Sequence, residues 1–232
     1  MKKILYILCL CCSSMAYGQI SNMSMNGVPA RVTPYTDVDG SPYLFPDWEK
    51  AQIATTNGGV KSGVSYKFNI HDNVLEVINE AGNAIYLNKD FLEYAVLERP
   101  SELMNDGNVG RIQDLLFKKG FDVVDGVAEK DLVNVLAEGE NYTLIRKFYS
   151  DLVTPPKNSY SPSPGQMFVF EESFYLISST NEVQKVRAKT GNIIKALNQS
   201  DQAEAKKIIK ENKLNLSRED HLVIFFGKLN EA

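Results

Sequence analysis

Apolar and polar side chains alternate unbroken through Val64-Ser65-Tyr66-Lys67-Phe68-Asn69-Ile70, the period of two expected of a half-buried antiparallel strand. His71-Asp72-Asn73 interrupts the run and Val74 to Ile78 resumes it, which predicts a hairpin. Glu80-Ala81-Gly82-Asn83 is a second turn leading to Ala84-Ile85-Tyr86-Leu87, and Phe91 to Leu97 follows with Leu92, Tyr94 and Val96 on one face. After the turn cluster Asn105-Asp106-Gly107-Asn108, strands are expected over Arg111 to Phe117, Leu132 to Ala137 and Tyr142 to Tyr149. Met167 to Phe170 and Phe174 to Ile177 predict a hairpin around Glu171-Glu172-Ser173, and Glu182 to Arg187 one more strand.

Near residue 188 the period changes from 2 to about 3.6. Ile193, Ile194 and Leu197 predict a short helix. Ser200 is placed to cap a second, with Ala205, Ile208 and Ile209 inward and Lys206, Lys207 and Lys210 outward. Ser217-Arg218-Glu219-Asp220 resembles a capping box opening a third, with Leu222, Val223, Phe225, Phe226 and Leu229 inward. The expected fold is therefore mainly antiparallel β (α+β): about ten strands in a curved or barrel-like meander sheet, with about three C-terminal helices covering an edge or end of it. A sheet so wide curls or splits because twist accumulates across it.

Breaks in the pattern divide the chain. Residues 1–18 combine Lys2 and Lys3 with an apolar run from Ile4 to Met15 and the small residues of Ala16-Tyr17-Gly18, the plan of a signal peptide cut before Gln19. A rival reading lipidates Cys12, but Cys11 before it is an unusual neighbour for a lipid-attachment cysteine. Residues 19–39 read as a flexible lead and residues 40–187 as the β domain. Within that domain, residues 154–166 (TPPKNSYSPSPGQ) form a Pro-rich loop. Residues 188–232 form the helical segment. The prolines of Gly40-Ser41-Pro42-Tyr43-Leu44-Phe45-Pro46-Asp47-Trp48 exclude a helix interior or a central strand, so this stretch is expected to be an extended arm across the core.

Composition narrows the chemistry. Removing residues 1–18 takes all three cysteines and two lysines but no acids, so the formal net charge moves from -4 to -6 and no thiol remains. Disulfides, thiolate metal sites and cysteine nucleophiles are then excluded. With no basic stripe to neutralise phosphates, nucleic acid is not an expected partner. No apolar run reaches the roughly 20 residues of a transmembrane helix.

Two histidines, His71 and His221, are too few for a His-rich metal site. His71 reads as a solvated turn residue rather than a base oriented by Asp72, and His221 as a surface or partly packed helix residue. Asp37-Val38-Asp39-Gly40 echoes an EF-hand loop, but Tyr35 and Pro46 stand where carboxylates are needed. Templates for serine hydrolases, zinc proteases, dinucleotide sites and phosphate loops are absent. No catalytic residue, cofactor or metal is therefore assigned. The candidates for ligand or partner contact are Tyr35, Tyr43, Phe45 and Trp48, whose flat rings suit a sugar or a protein surface if they are not packed against the core.

The Gly40-Ser41-Pro42-Tyr43-Leu44 segment with Trp48, the Tyr66-Lys67-Phe68-Asn69 strand, and the lysine-rich helix ending in Glu211-Asn212-Lys213-Leu214-Asn215-Leu216 together resemble uncharacterised exported proteins of Bacteroidetes-type bacteria. The resemblance implies a bacterial envelope location, periplasmic or cell surface, and carries no activity with it. The expectation is a non-enzymatic envelope protein binding a protein or glycan partner. The alternatives are a small-molecule or lipid carrier with a cavity inside the curved sheet, and a carboxylate-based hydrolase of envelope glycan.

Overall fold

The computed structural model describes residues 25–31, 35, 38–105, 110–156 and 165–232. The expected signal peptide, Cys12 and Asp37 lie outside these residues. One sheet of eleven antiparallel strands organises the chain. The strands are β1 (Gly27–Pro29), β2 (Glu49–Thr55), β3 (Val60–Asn69), β4 (Val74–Ile78), β5 (Ala84–Leu87), β6 (Leu92–Glu98), β7 (Asp114–Lys118), β8 (Val133–Ala137), β9 (Tyr142–Val153), β10 (Met167–Ser178) and β11 (Val183–Val186). The helices are α1 (Ser101–Asn105), α2 (Thr190–Ala196), α3 (Gln202–Glu211) and α4 (Glu219–Glu231). In space the strands run β1-β5-β4-β3-β2-β6-β7-β8-β9-β10-β11, so β6 to β11 form a plain meander and β1 closes the far edge beside β5. The sheet is not closed. Among the described residues no helix is long and apolar enough to cross a membrane.

The sheet is nevertheless strongly curved. Although β3 and β9 are five places apart in the order, the turn after β3 reaches β9 directly: His71 Nδ1 lies 2.7 Å from the Ser150 carbonyl oxygen. Asn73, at the tip of the same hairpin, exchanges hydrogen bonds with both backbone groups of Leu132. Irregularities in β2, between Ala51 and Ile53 against β3 and between Ala54 and Thr55 against β6, supply local twist. The extended arm bridges the remaining gap. Leu44 N–H donates to Phe68 O and Ile70 N–H to Pro42 O on one side. On the other side, Phe168 N–H donates to Asp39 O and Ser150 Oγ to Ser41 O. Gly40 sits where the arm meets β10, at φ +81°, and a Cβ there would stand 2.6 Å from Phe168 O.

Alternation along β9 shows how the interior is divided. Tyr142 and Leu144 face a cluster with Leu176, Ile193, Ile208, Leu222, Phe225 and Phe226, contributed largely by the helices. Further along the same face, Phe148 joins the cluster of β2 to β7, which holds Ile53, Tyr66, Phe68, Leu97 and Phe117. Arg146 lies between them. Ile145 points the other way, into a smaller cluster with Val124, Val133 and Ile177.

Several expectations are corrected. Met167 to Ser178 is one continuous strand paired residue by residue with β9, not a hairpin. Glu171-Glu172-Ser173 offers no Gly, Asn or Pro to reverse the chain, and Tyr149 opposite engages Glu171 Oε2 at 2.7 Å. In β6 the buried set is Leu92, Ala95 and Leu97, because the irregularity against Thr55 shifts the alternation after Leu92. Neither serine caps its helix: α3 begins after Asp201 and α4 after Arg218, without side-chain caps. Within the expected flexible lead, Gly27–Pro29 forms the edge strand and Met25 is buried. Strand β2 has no counterpart in the sequence pattern, since Glu49-Lys50-Ala51-Gln52-Ile53-Ala54-Thr55 carries only one large apolar side chain.

Candidate functional site

The four aromatic candidates do not converge. Tyr35, half-buried, stands edge-on to His71 and Phe168 with ring centroids 5.7 and 5.0 Å away. Phe45 is buried in the core. Tyr43, half-buried, donates its hydroxyl to Glu76 Oε1 at 2.9 Å. Burial, then that hydrogen bond, raises the Tyr43 pKa, and burial also raises that of Glu76. Trp48 is 40% exposed and shares the Lys67 ammonium with Tyr43, at 5.8 and 5.3 Å from the two rings. His71 is not the solvated residue expected: it is half-buried between Tyr35 and Phe168, with Nδ1 on the Ser150 carbonyl. His221 is half-buried, and its Nδ1 accepts from Asn215 N–H.

Of the four, only Phe45 lines a recess with a charged floor. Its arm neighbours Leu44 and Pro46 form one wall of an open cleft of about 410 Å³ at the margin of the cluster of β2 to β7. Phe148 and Phe170 form another wall. They end a chain of rings through the interior, Phe68 to Phe117 to Phe148 to Phe170, at centroid spacings of 5.2, 6.2 and 5.9 Å. Phe170, at the outer end, is 51% exposed. The floor is ionic. Glu219, at the start of α4, accepts from both terminal nitrogens of Arg99, at 3.0 and 3.1 Å. It also accepts from Arg146 Nη1 at 2.5 Å and from Ile112 N–H at 3.0 Å. Arg146 is 2% exposed; its Nε and Nη2 both donate to Asn134 Oδ1 and its guanidinium stacks 4.4 Å from the Phe148 ring. At the rim, Glu172 Oε2 reaches Arg146 Nη1 at 3.4 Å, and Arg111 Nη1 donates to Leu103 O.

These side chains are placed by ordinary strand and helix geometry. Arg146 occupies an inward position of β9, flanked at two residues by Leu144 and Phe148; Glu172 lies on β10 and Arg99 just past β6. Asp220 N–H donates to Gly110 O, which fixes the first turn of α4 against the segment before β7 and aims Glu219 at the arginines. Burial alone would raise the Glu219 pKa. The Arg146 charge, the Arg99 hydrogen bonds and the Ile112 N–H outweigh burial and hold it down at about 2.

The arrangement is poor at proton transfer and good at holding an anion. Glu219 stays ionised and saturated with donors, so it is not set up as a general acid near neutral pH. Among the described residues no group of three His, Cys, Asp or Glu side chains is placed to hold a metal. The sequence signal for this site is Arg146 itself, a charge where the alternation of Tyr142, Leu144 and Phe148 calls for an apolar residue. Arg99, Arg111, Glu172 and Glu219 carry no such mark. Comparison with protein-family models, with curated proteins and with solved structures finds no match, so the meaning of the cleft rests on its own residues.

Proposed function

We propose that the chain is a non-enzymatic, exported envelope protein that binds a protein or glycan partner through the cleft beneath Phe170. The observation that carries this reading is the buried Arg99–Glu219–Arg146 triad at the base of an open, apolar-walled cleft. Two desolvated guanidiniums around one carboxylate are costly to maintain for stability alone, and an apolar replacement of such a group is often as stable. Polar groups converging in an apolar recess are a common form of recognition site.

The alternatives find less support. A carrier of the kind envisaged needs space between the faces of the curved sheet, but Ile53, Tyr66, Phe68, Leu97 and Phe117 fill that region. A glycan hydrolase acting with two carboxyl groups needs one that is protonated near neutral pH, and Glu219 is held far from that.

The test is photo-crosslinking in intact cells, with a photoreactive residue at Phe170 and a control at exposed Val60 on β3. The expected result is an adduct from position 170 alone, removed by protease if the partner is a protein or by glycan-degrading enzymes if it is a glycan. The exported chain should begin at Gln19. Equal adducts from both positions, no adduct, or a cytoplasmic chain retaining residues 1–18 overturns the proposal.

A further inference from the structure

The floor of the cleft holds two arginines on one buried carboxylate. Arg99 and Arg146 converge on Glu219, which leaves this buried trio with one positive charge in excess. The only other carboxylate that reaches it among the described residues is Glu172, which is 42% exposed and touches Arg146 Nη1 at 3.4 Å, near the outer limit of a hydrogen bond. Glu219 on the same nitrogen is far closer, at 2.5 Å. An incoming carboxylate can therefore take the place of Glu172 while leaving the link between α4 and the sheet intact. Glu172 would swing to solvent, which its half-exposed carboxylate already meets, while the incoming carboxylate keeps the buried Arg146 paired.

The walls say what the carboxylate is attached to. Phe170 is half exposed at the mouth although its ring continues the interior aromatic chain, and Phe45, Phe148 and Leu103 line the recess below it. A volume of about 410 Å³ suits one small ligand or one large side chain, not a folded domain.

We infer that the cleft binds a carboxylate carried on an apolar body, the chemistry shared by a free amphipathic acid and by a protein C-terminus ending in a large apolar residue. This rests on reading the cleft as a binding site rather than a catalytic one. The carboxylate meets Arg146 at the place of Glu172, and the apolar body lies between Phe148, Phe170 and the arm.

Isothermal titration of the full exported chain tests this with 3-phenylpropionate, its amide, a peptide ending in Leu-Phe as free acid and as amide, and inorganic phosphate. At least one acid should bind, about tenfold or more tighter than its amide, because the amide forfeits a charge-assisted hydrogen bond. Binding of the small acid alone identifies a free metabolite-like ligand and overturns the protein or glycan partner proposed for the cleft, whereas binding of the peptide acid alone identifies a protein C-terminus. Two rim variants leave the buried triad untouched. Glu172→Gln should tighten binding of the acid several-fold by removing the competitor, and Phe170→Ala should weaken it several-fold. The inference is overturned if neither acid binds at millimolar concentration, if acid and amide bind alike, or if phosphate matches the acids. No gain from Glu172→Gln overturns it too. Turnover of a bound acid would defeat the non-enzymatic reading while leaving the site. A chain crosslinked from position 170 in cells but blind to every acid would defeat the site alone.

Discussion

Replacing Glu219 by glutamine keeps the shape of the side chain and removes the charge that two buried guanidiniums share. In the native protein Arg99 is 6% and Arg146 2% exposed, so neither is solvated once its counter-ion is gone. Breaking a buried pair by removing one partner costs about 3–5 kcal/mol, mostly the penalty of the stranded charge. The acidic limb of stability gives a second handle. The folded pKa of Glu219 is depressed from 4.5 to about 2, so its contribution is complete above about pH 5 and disappears as pH falls through the folded value. At about 1.4 kcal/mol per unit of pKa, with some discount for the 17% of the side chain that meets solvent, that contribution is about 2–3 kcal/mol. Urea unfolding of both proteins at pH 7 and at pH 2.5 is the assay. Other carboxylates, among them Asp201 and Asp220, also have lowered pKa values and weaken both proteins in acid. The difference between the two proteins isolates Glu219. Glu219→Gln should be less stable by about 3–5 kcal/mol at pH 7, and the gap should shrink to about half or less at pH 2.5. A variant within about 1 kcal/mol of the native protein at pH 7, or a gap indifferent to pH, would refute the account of the triad as one electrostatic unit.

Other perturbations probe the supports around the cleft. Asn230 on α4 accepts from Tyr142 N–H at 2.8 Å and donates to Tyr142 O at 2.9 Å; Asn230→Ala should cost about 1–3 kcal/mol and speed amide exchange at Tyr142. Gly40→Ala forces a Cβ toward Phe168 O at positive φ, and thermal unfolding should register a loss of about 1–3 kcal/mol. The Tyr142 hydroxyl donates to Asp201, and burial followed by that bond raises its pKa to about 12. Tyr142→Phe should therefore flatten the loss of stability as pH rises from 10 towards 12, seen in alkaline unfolding curves. Deleting residues 188–232 uncovers Leu136, Leu144 and Leu176, so light scattering should report aggregation.

What the sequence made legible follows from where side chains repeat. Val74–Ile78 and Ala84–Leu87 are legible to the residue because each is a short, largely apolar run bounded by turns rich in Asn and Gly. Helices α3 and α4 are legible because Ala205 and Ile208 on the one, and Leu222, Phe225 and Leu229 on the other, fall three or four residues apart, whereas the short α1 carries no such signal. Strand β2 was hidden because a strand held between two others needs little apolar mass of its own when Ala51, Ile53 and Ala54 pack beneath larger neighbours. The aromatic arm drew attention for a sound reason, since its rings do bury area. Only long-range pairing reveals that Phe45 faces the cleft, that Tyr43 faces Glu76 and that Trp48 faces Lys67. The cleft joins residues 44–46, 99, 146, 172 and 219, and no local period connects such distant positions.

The position of the triad explains why a sheet of this width stays one body. The helical layer and the curved half of the sheet have separate apolar clusters, and on β9 the boundary between them is Arg146. An apolar residue there would merge the clusters but would specify no fixed placement of α4, because apolar contact is non-directional. The fork of Arg146 does specify one: Nε and Nη2 hold Asn134 on β8, and Nη1 takes the first carboxylate of α4. Arg99 fixes that carboxylate a second time from the end of β6, and Ile112 N–H a third from the segment before β7. The same convergence that registers the helix against the sheet leaves a cation at the bottom of a recess with phenyl walls. Structural registration and anion recognition thus draw on one set of side chains. A ligand that displaces Glu172 should add to stability through the triad, whereas one that displaced Glu219 would release α4.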